Sequence, residues 1–198
     1  MKQTKTNQRQ VQKLKTRKTI FETATTLFAE KSYEKVTIAE ICKVAGVSIG
    51  AFYHHFKNKE SVLNEGYFWF DEDLKDDWKN RNTSSVEEDI IFLIKEQLKA
   101  ISANGYIYAT QFFKNQLTNK VKYILNEDRL FYKLLYLSVS KGIDMNLYNA
   151  DATKMTKKIL SLSRGTIYDW CLHEGSYNLI DECLEDLQML LKFCSLNK

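Results

Sequence analysis

Apolar residues recur at helical spacing along most of this 198-residue chain, and short polar stretches separate the runs. Leu14, Phe21, Ala24, Leu27 and Phe28 give the inward face of a first helix predicted from about Val11 to Lys31, with Tyr33 closing a small core after the turn. Between Thr37 and Lys59 the pattern contracts into two brief helices joined by a turn. Thr37 and Glu40 form a capping box that starts the first of them. Ile38, Ile41, Cys42 and Ala45 supply its stripe, and Gly46 ends it where a positive φ costs least. Ser48 offers an N-cap oxygen to the next helix. There Phe52 and Phe56 face one way, Ile49, Gly50, Tyr53 and His54 lie toward the other, and Ala51 and His55 flank them. The predicted core of this three-helix unit is Leu27, Phe28, Ile38, Ile41, Val44, Val47, Phe52 and Phe56.

Asn58 caps a long helix from Lys59 to about Trp78, striped by Leu63, Gly66, Tyr67, Phe70, Leu74 and Trp78. Residues 80–84 read as a loop. Ser85 and Glu88 form a second capping box, opening a helix to about Ala103 with Ile90, Ile94, Leu98 and Ile101 inward. Gly105 breaks it. Helices are predicted over Tyr106–Leu117 and Asp128–Lys141, with Gly142 as a plausible C′ residue. Asp151 caps the next, running to about Glu174 and stopped by Gly175. The last, from about Asn178 to Phe193, is strongly periodic.

No proline and only seven glycines interrupt the chain, so an all-α protein of about nine helices is the natural reading. A capped helix, a glycine turn and a short helix with a small, polar and aromatic outer face match the helix-turn-helix pattern. At ~1.5 Å per residue the second helix is roughly 12 Å long, about the width of a major groove. An ordinary helical hairpin inside a core has the same spacing.

Charge sharpens the choice. The net charge is +4, yet residues 1–60 hold twelve Lys/Arg against five acids, a balance of +7, and the remainder is acidic. The basic half is the one that carries the motif, as a nucleic-acid footprint requires. Residues 1–12 read as a flexible basic arm. It is either a solubilising tail or a segment that meets phosphates or the minor groove, with Lys15, Arg17 and Lys18 the nearest contacts.

Thr37-Ile38, Ala45-Gly46-Val47-Ser48, Gly50, Phe52-Tyr53-His54-His55-Phe56 and Lys57-Asn58-Lys59-Glu60 followed by Leu63 give residues 13–63 a marked likeness. This segment resembles the DNA-binding domain of the TetR family of transcriptional regulators. Cys42 stands where the family often has alanine. The resemblance implies a helix-turn-helix domain over residues 13–58 and a ligand-binding and dimerisation domain over 59–198. It also implies a homodimer through the two C-terminal helices, a palindromic double-stranded DNA operator, and release by a small hydrophobic effector. Both terminal helices have apolar faces, and Ser161 and Gly165 permit close approach; burial of both within one subunit is the plain alternative.

Chemistry assigns roles within the motif. Thr37, Tyr53 and Lys59 are phosphate candidates, with Lys57 beside them. Ser48, Ile49, Gly50, Ala51 and His54 or His55 are candidates for base edges and the groove floor, although the histidines have a structural alternative. No Arg, Asn or Gln lies on this face, so bidentate base readout is not available from it. Water, histidine contacts or DNA shape are expected to contribute. Among the ring-rich middle helices, Phe70, Tyr106, Phe113, Tyr132, Tyr136 and Trp170 are the candidate effector-binding residues.

No catalytic constellation, cofactor motif or metal spacing is found, so no enzyme, cofactor or metal is expected. The acids at 71–73 and 76–77 read as a solvated helix face. Cys42, Cys171, Cys183 and Cys194 read as small buried hydrophobes in a reducing compartment. No signal peptide or membrane span is visible, which fits a cytoplasmic regulator, more a repressor than an activator. A DNA-binding structural or cell-division factor that recruits a protein partner without a small ligand is the alternative.

Overall fold

The computed structural model describes residues 2–196, with side chains from Gln8 onward. Nine α-helices are found among them: α1 Lys2–Glu30, α2 Ile38–Ala45, α3 Ile49–His55, α4 Lys59–Asn80, α5 Val86–Ser102, α6 Gly105–Thr118, α7 Leu130–Asp144, α8 Ala152–Leu172 and α9 Leu179–Cys194. A 3-10 turn spans Tyr123–Leu125. The chain divides into two compact units, Met1–Gly66 and Tyr67–Lys198.

In the first unit, Ile20, Ala24, Phe28, Ile41, Phe52, Phe56, Val62 and Leu63 are sealed from solvent. Each of these larger side chains contributes about 2–3 kcal/mol by leaving water. Tyr33 stacks at a tilt on Phe28, with centroids 4.9 Å apart. Two expected core positions are corrected. Val44 is 61% exposed and Leu14 is 45% exposed. In α2 the inward stripe runs through Ile41 and Cys42, which turns Val44 outward.

The first helix begins at Lys2, where an arm had been expected before Val11. Met1 lies outside the described residues. With neither glycine nor proline in residues 1–30, extending an existing helix costs little once its packed part has nucleated. The helix caps follow the sequence closely. Ser61 N donates to Asn58 Oδ1 (2.8 Å) and Lys154 N to Asp151 Oδ1 (2.8 Å). Glu88 N donates to Ser85 Oγ (3.1 Å), but the Glu88 carboxylate reaches back to Ser84 N (2.6 Å) rather than to Ser85.

In the second unit α5 packs against α7 and α9, and α8 against α6, α7 and α9. Ile90, Leu93, Ile94 and Leu98 of α5 meet Leu135 and Val139 of α7, Ile159 and Ile167 of α8, and Cys183, Leu187 and Leu191 of α9. Gly142 is corrected from a helix terminator to a packing residue. It lies within α7, and a Cβ there would come 2.6 Å from the Tyr148 ring. Glycine is needed where that ring crosses the helix. Positive φ occurs instead at Gly46, Gly105 and Gly175. Asp71 is not a solvated acid, because Arg129 donates to it twice, at 3.1 and 2.9 Å. Arg81 and Thr83 both hydrogen-bond Asp89, which burial alone would push up; these bonds and the Arg81 charge leave its carboxyl below the usual range.

Candidate nucleic-acid interface

The turn between α2 and α3 is built by local chemistry. Thr37 Oγ1 accepts from Glu40 N at 3.1 Å and starts α2. Gly46, at φ 67°, lets its own amide and that of Val47 return to the Cys42 carbonyl. Ser48 Oγ then accepts from Ala51 N at 3.0 Å and starts α3. Lys31 bonds to the Glu40 carboxylate. That bond is the main cause of the lowered Glu40 pKa, to which the Thr37 amide adds, as in a capping box.

α3 is anchored on one side only. Phe52 is fully buried and sits against Phe56, with centroids 5.7 Å apart. On the opposite side Ile49 is 51% and Tyr53 56% exposed, with Ser48, Gly50 and His54 also exposed and Ala51 and His55 half-buried. Tyr53 meets the Phe52 ring edge-on at 5.6 Å, yet it and Ile49 leave large phenolic and apolar surface in water. Thr37, Lys57 and Lys15 are exposed as well. His54 and His55 meet edge-on at 5.2 Å. Burial first, then the charges of His54, Lys13 and Arg17, hold the His55 pKa below its ordinary value.

Three of the cations expected at phosphate have protein partners. Lys59 Nζ donates to the carbonyls of Tyr33 (2.7 Å) and Val36 (2.6 Å) and lies 4.4 Å from the Tyr33 ring centroid. It ties the chain after α1 to the start of α4. Arg17 Nη2 lies 2.5 Å from Glu65 Oε2, and that glutamate is buried. Burial raises the Glu65 pKa, and the arginine opposes it. Lys18 is paired with Glu22 at 4.0 Å on the helix surface. The sequence hid these pairings because the Arg17–Glu65 and Lys59–Tyr33 partners are far apart along the chain.

The expected effector residues fall into separate contacts of the second unit. Tyr132 and Tyr136 stack at 6.4 Å, and Phe70 meets Phe131 edge-on at 5.4 Å. Tyr106 and Trp170 both close on Gly175. Phe113 packs on the core. Trp170 Nε1 donates to the Tyr177 carbonyl at 3.0 Å, so its polar edge is already satisfied. Sequence reasoning passed over Tyr67 and Arg164. The buried Tyr67 hydroxyl has no hydrogen-bond partner among the described residues. Arg164, half-buried on α8, donates Nε to its own helix at Leu160 O (2.7 Å). A lone arginine beside the apolar stripe of α8 was the one available signal. No group of His, Cys, Asp or Glu able to hold a metal occurs among the described residues, and no helix there is long and apolar enough to cross a membrane.

A capped helix, a left-handed glycine turn and a second helix anchored by one face define a helix-turn-helix module. The model for bacterial regulatory proteins of the tetR family matches residues 20–65. It is 32% identical over 111 residues to a probable acrEF/envCD operon repressor of Escherichia coli K12, covering 56% of this chain and 48% of that one. It is 24% identical over 180 residues to the fatty acid metabolism regulator protein of Bacillus subtilis 168, covering 87% and 92%. The chain spans about half the length, or less, of most of the curated relatives it matches. The Thermus thermophilus repressor FadR, in complex with lauroyl-CoA, shares the fold at TM-score 0.65 and 19% identity, over 92% of this chain and 96% of that one.

Proposed function

We propose that this protein is a ligand-responsive transcriptional repressor that binds a palindromic operator as a homodimer and leaves it when a small hydrophobic molecule binds. The observation that carries the reading is the outer face of α3, exposed in a helix-turn-helix whose other face is sealed by Phe52 and Phe56. Ile49, Gly50 and Ala51 offer methyl-sized surface for the groove floor, suited to thymine methyls. Ser48, Tyr53, His54, His55, Thr37, Lys57 and Lys15 provide donors toward bases and phosphates.

A two-fold operator asks for a two-fold protein. α8 and α9 each expose a stripe at helical spacing: Gly165, Tyr168 and Leu172 on one, Met189 and Phe193 on the other. Phe193 is 85% exposed, and nothing lies within 4 Å of the position a Gly165 Cβ would take. Such a surface suits close helix packing against a second copy. The effector would bind in the ring-rich second unit, and acyl-CoA thioesters are the first compounds to try, given the lauroyl-CoA held by the T. thermophilus protein. α4 is one continuous helix from the first unit into the second, and differential effector affinity for two arrangements of it is what release requires.

Selection of bound duplexes from a random pool with the full chain, followed by footprinting, tests the reading. The expected result is an inverted repeat bound with a two-fold footprint, and Tyr53→Ala should weaken binding to every selected duplex alike by roughly five- to tenfold. Recovery of no enriched repeat, or a footprint unchanged by Tyr53→Ala and Lys57→Ala together, would refute it.

A further inference from the structure

Helices α5 to α9 pack along one another's length, whereas α4 makes no such extended packing with any of them among the described residues. Its second half is held instead by individual side chains. Phe70 meets Phe131 of α7 edge-on at 5.4 Å, and Tyr67 meets Phe112 of α6 at 4.7 Å. The buried Tyr67 hydroxyl has no hydrogen-bond partner among the described residues, so no bond at that end fixes the ring. Burial of apolar surface is non-directional, and ring contacts of this kind permit small sliding.

One contact at the same place is directional. Arg129, the N-cap residue of α7, donates Nε to Asp71 Oδ2 at 3.1 Å and Nη2 to Asp71 Oδ1 at 2.9 Å. Its guanidinium also lies 4.5 Å from the Tyr67 ring centroid and 5.9 Å from that of Phe70. Tyr67, Phe70 and Asp71 stand at i, i+3 and i+4, one face of a helix, so a single planar fork grips a whole turn of α4. A two-pronged pair fixes angle as well as distance. The pair is largely sealed, with 12% of the Arg129 and 16% of the Asp71 side chain exposed. Little water is at hand to replace the two bonds, so any arrangement of α4 that carries Asp71 away is disfavoured.

We propose that Arg129 is a positioning residue for operator binding: by gripping Tyr67, Phe70 and Asp71 it holds α4 in one arrangement, and it acts on DNA affinity through that helix. The inference rests on the reading of α4 as the link between effector and operator, and it names the side chain that selects between the arrangements. The ring contacts supply adhesion, and the arginine supplies the choice.

The full chain carrying Arg129→Met, Asp71→Leu or both tests this, with the duplex selected by the wild type as the probe. Each single variant strands a largely buried charge and should melt roughly 5 °C or more below wild type. The double variant removes both charges and fills their space with apolar groups, so it should melt within about 3 °C of wild type. Stability is then restored while the directional grip is not. Its affinity for the duplex should differ from wild type by roughly fivefold or more, a fall if the gripped arrangement binds the operator and a rise if it is the released one. Native-state hydrogen exchange should show residues 67–80 opening roughly tenfold faster in the double variant, with α5 unchanged, whatever its melting temperature. Wild-type affinity in the double variant, unchanged protection of residues 67–80, or faster exchange spread evenly over α4 and α5 overturns the proposal. Failure of the wild type to enrich any duplex would count against the regulator reading, leaving Arg129 to be decided by exchange alone.

Discussion

The two units handle polarity in opposite ways. In the first, the aromatic core is sealed and the notable residues stand in water: Ser48, Ile49, Tyr53 and His54 on the free side of α3. In the second, the notable polar groups are inside, with Tyr67 and the Arg129–Asp71 pair among rings, while apolar residues such as Leu172, Met189 and Phe193 face out. Each departure from the usual rule of apolar inside and polar outside marks a surface awaiting a different partner. A rigid outward face suits a large ligand met from without. Buried unmet polarity suits a small one that must enter.

Five substitutions or conditions break or sharpen this contrast, taken from the largest effect down. Phe52→Ala empties the centre of the first core and should cost about 3–5 kcal/mol, seen as an early transition by calorimetry and loss of duplex binding. Phe193→Asp places a charge on the exposed α9 stripe. It should shift sedimentation toward monomer and lower operator affinity by roughly tenfold or more, while leaving helix content intact. Lys59→Met should lower stability by about 1–3 kcal/mol through the two carbonyls it strands, with an unchanged salt dependence of DNA binding. Lys57→Ala should do the reverse, leaving stability alone and reducing the log–log salt slope by about one.

The smallest effect concerns pH. Folding lowers the His55 pKa, chiefly through burial and then through His54, Lys13 and Arg17. The unfolded chain, with its histidine near pKa ~6.5, therefore takes up the proton first as the pH falls. Stability should decline from about pH 6.5 downward until the folded value is passed, and His55→Gln should remove that decline in urea unfolding. Phosphates nearby would favour the protonated ring, so duplex affinity should rise over the same window. A flat affinity profile would assign His55 to structure alone.

Much of the first unit was legible because its determinants are local. Thr37, Gly46, Ser48 and Asn58 each act within three or four residues, and each is found capping or turning as its type demands. Burial at three- and four-residue spacing foretold Phe52 and Phe56, and the exposed side of α3 followed from it. What escaped depends on distant partners. Lys59 is internal because the carbonyls of Tyr33 and Val36 converge on it, and Arg17 because α4 brings Glu65 alongside. Gly142 resembles a terminator until Tyr148 is seen crossing it. In the second unit ring-rich periodicity marked the core, but periodicity says nothing of which polar atom will lack a partner. The unpartnered Tyr67 hydroxyl was thus invisible.

Ser48 holds two offices, since the oxygen that begins α3 sits on the face proposed to meet DNA. Serine, threonine, asparagine, aspartate and glycine begin helices best, and aspartate would repel a phosphate-lined groove. The freedom of this position is therefore narrow: a change outside the four remaining types costs about 1 kcal/mol of helix capping. Accepting from Ala51 leaves the hydroxyl its proton and a second lone pair, so capping α3 does not take the serine out of reach of other partners.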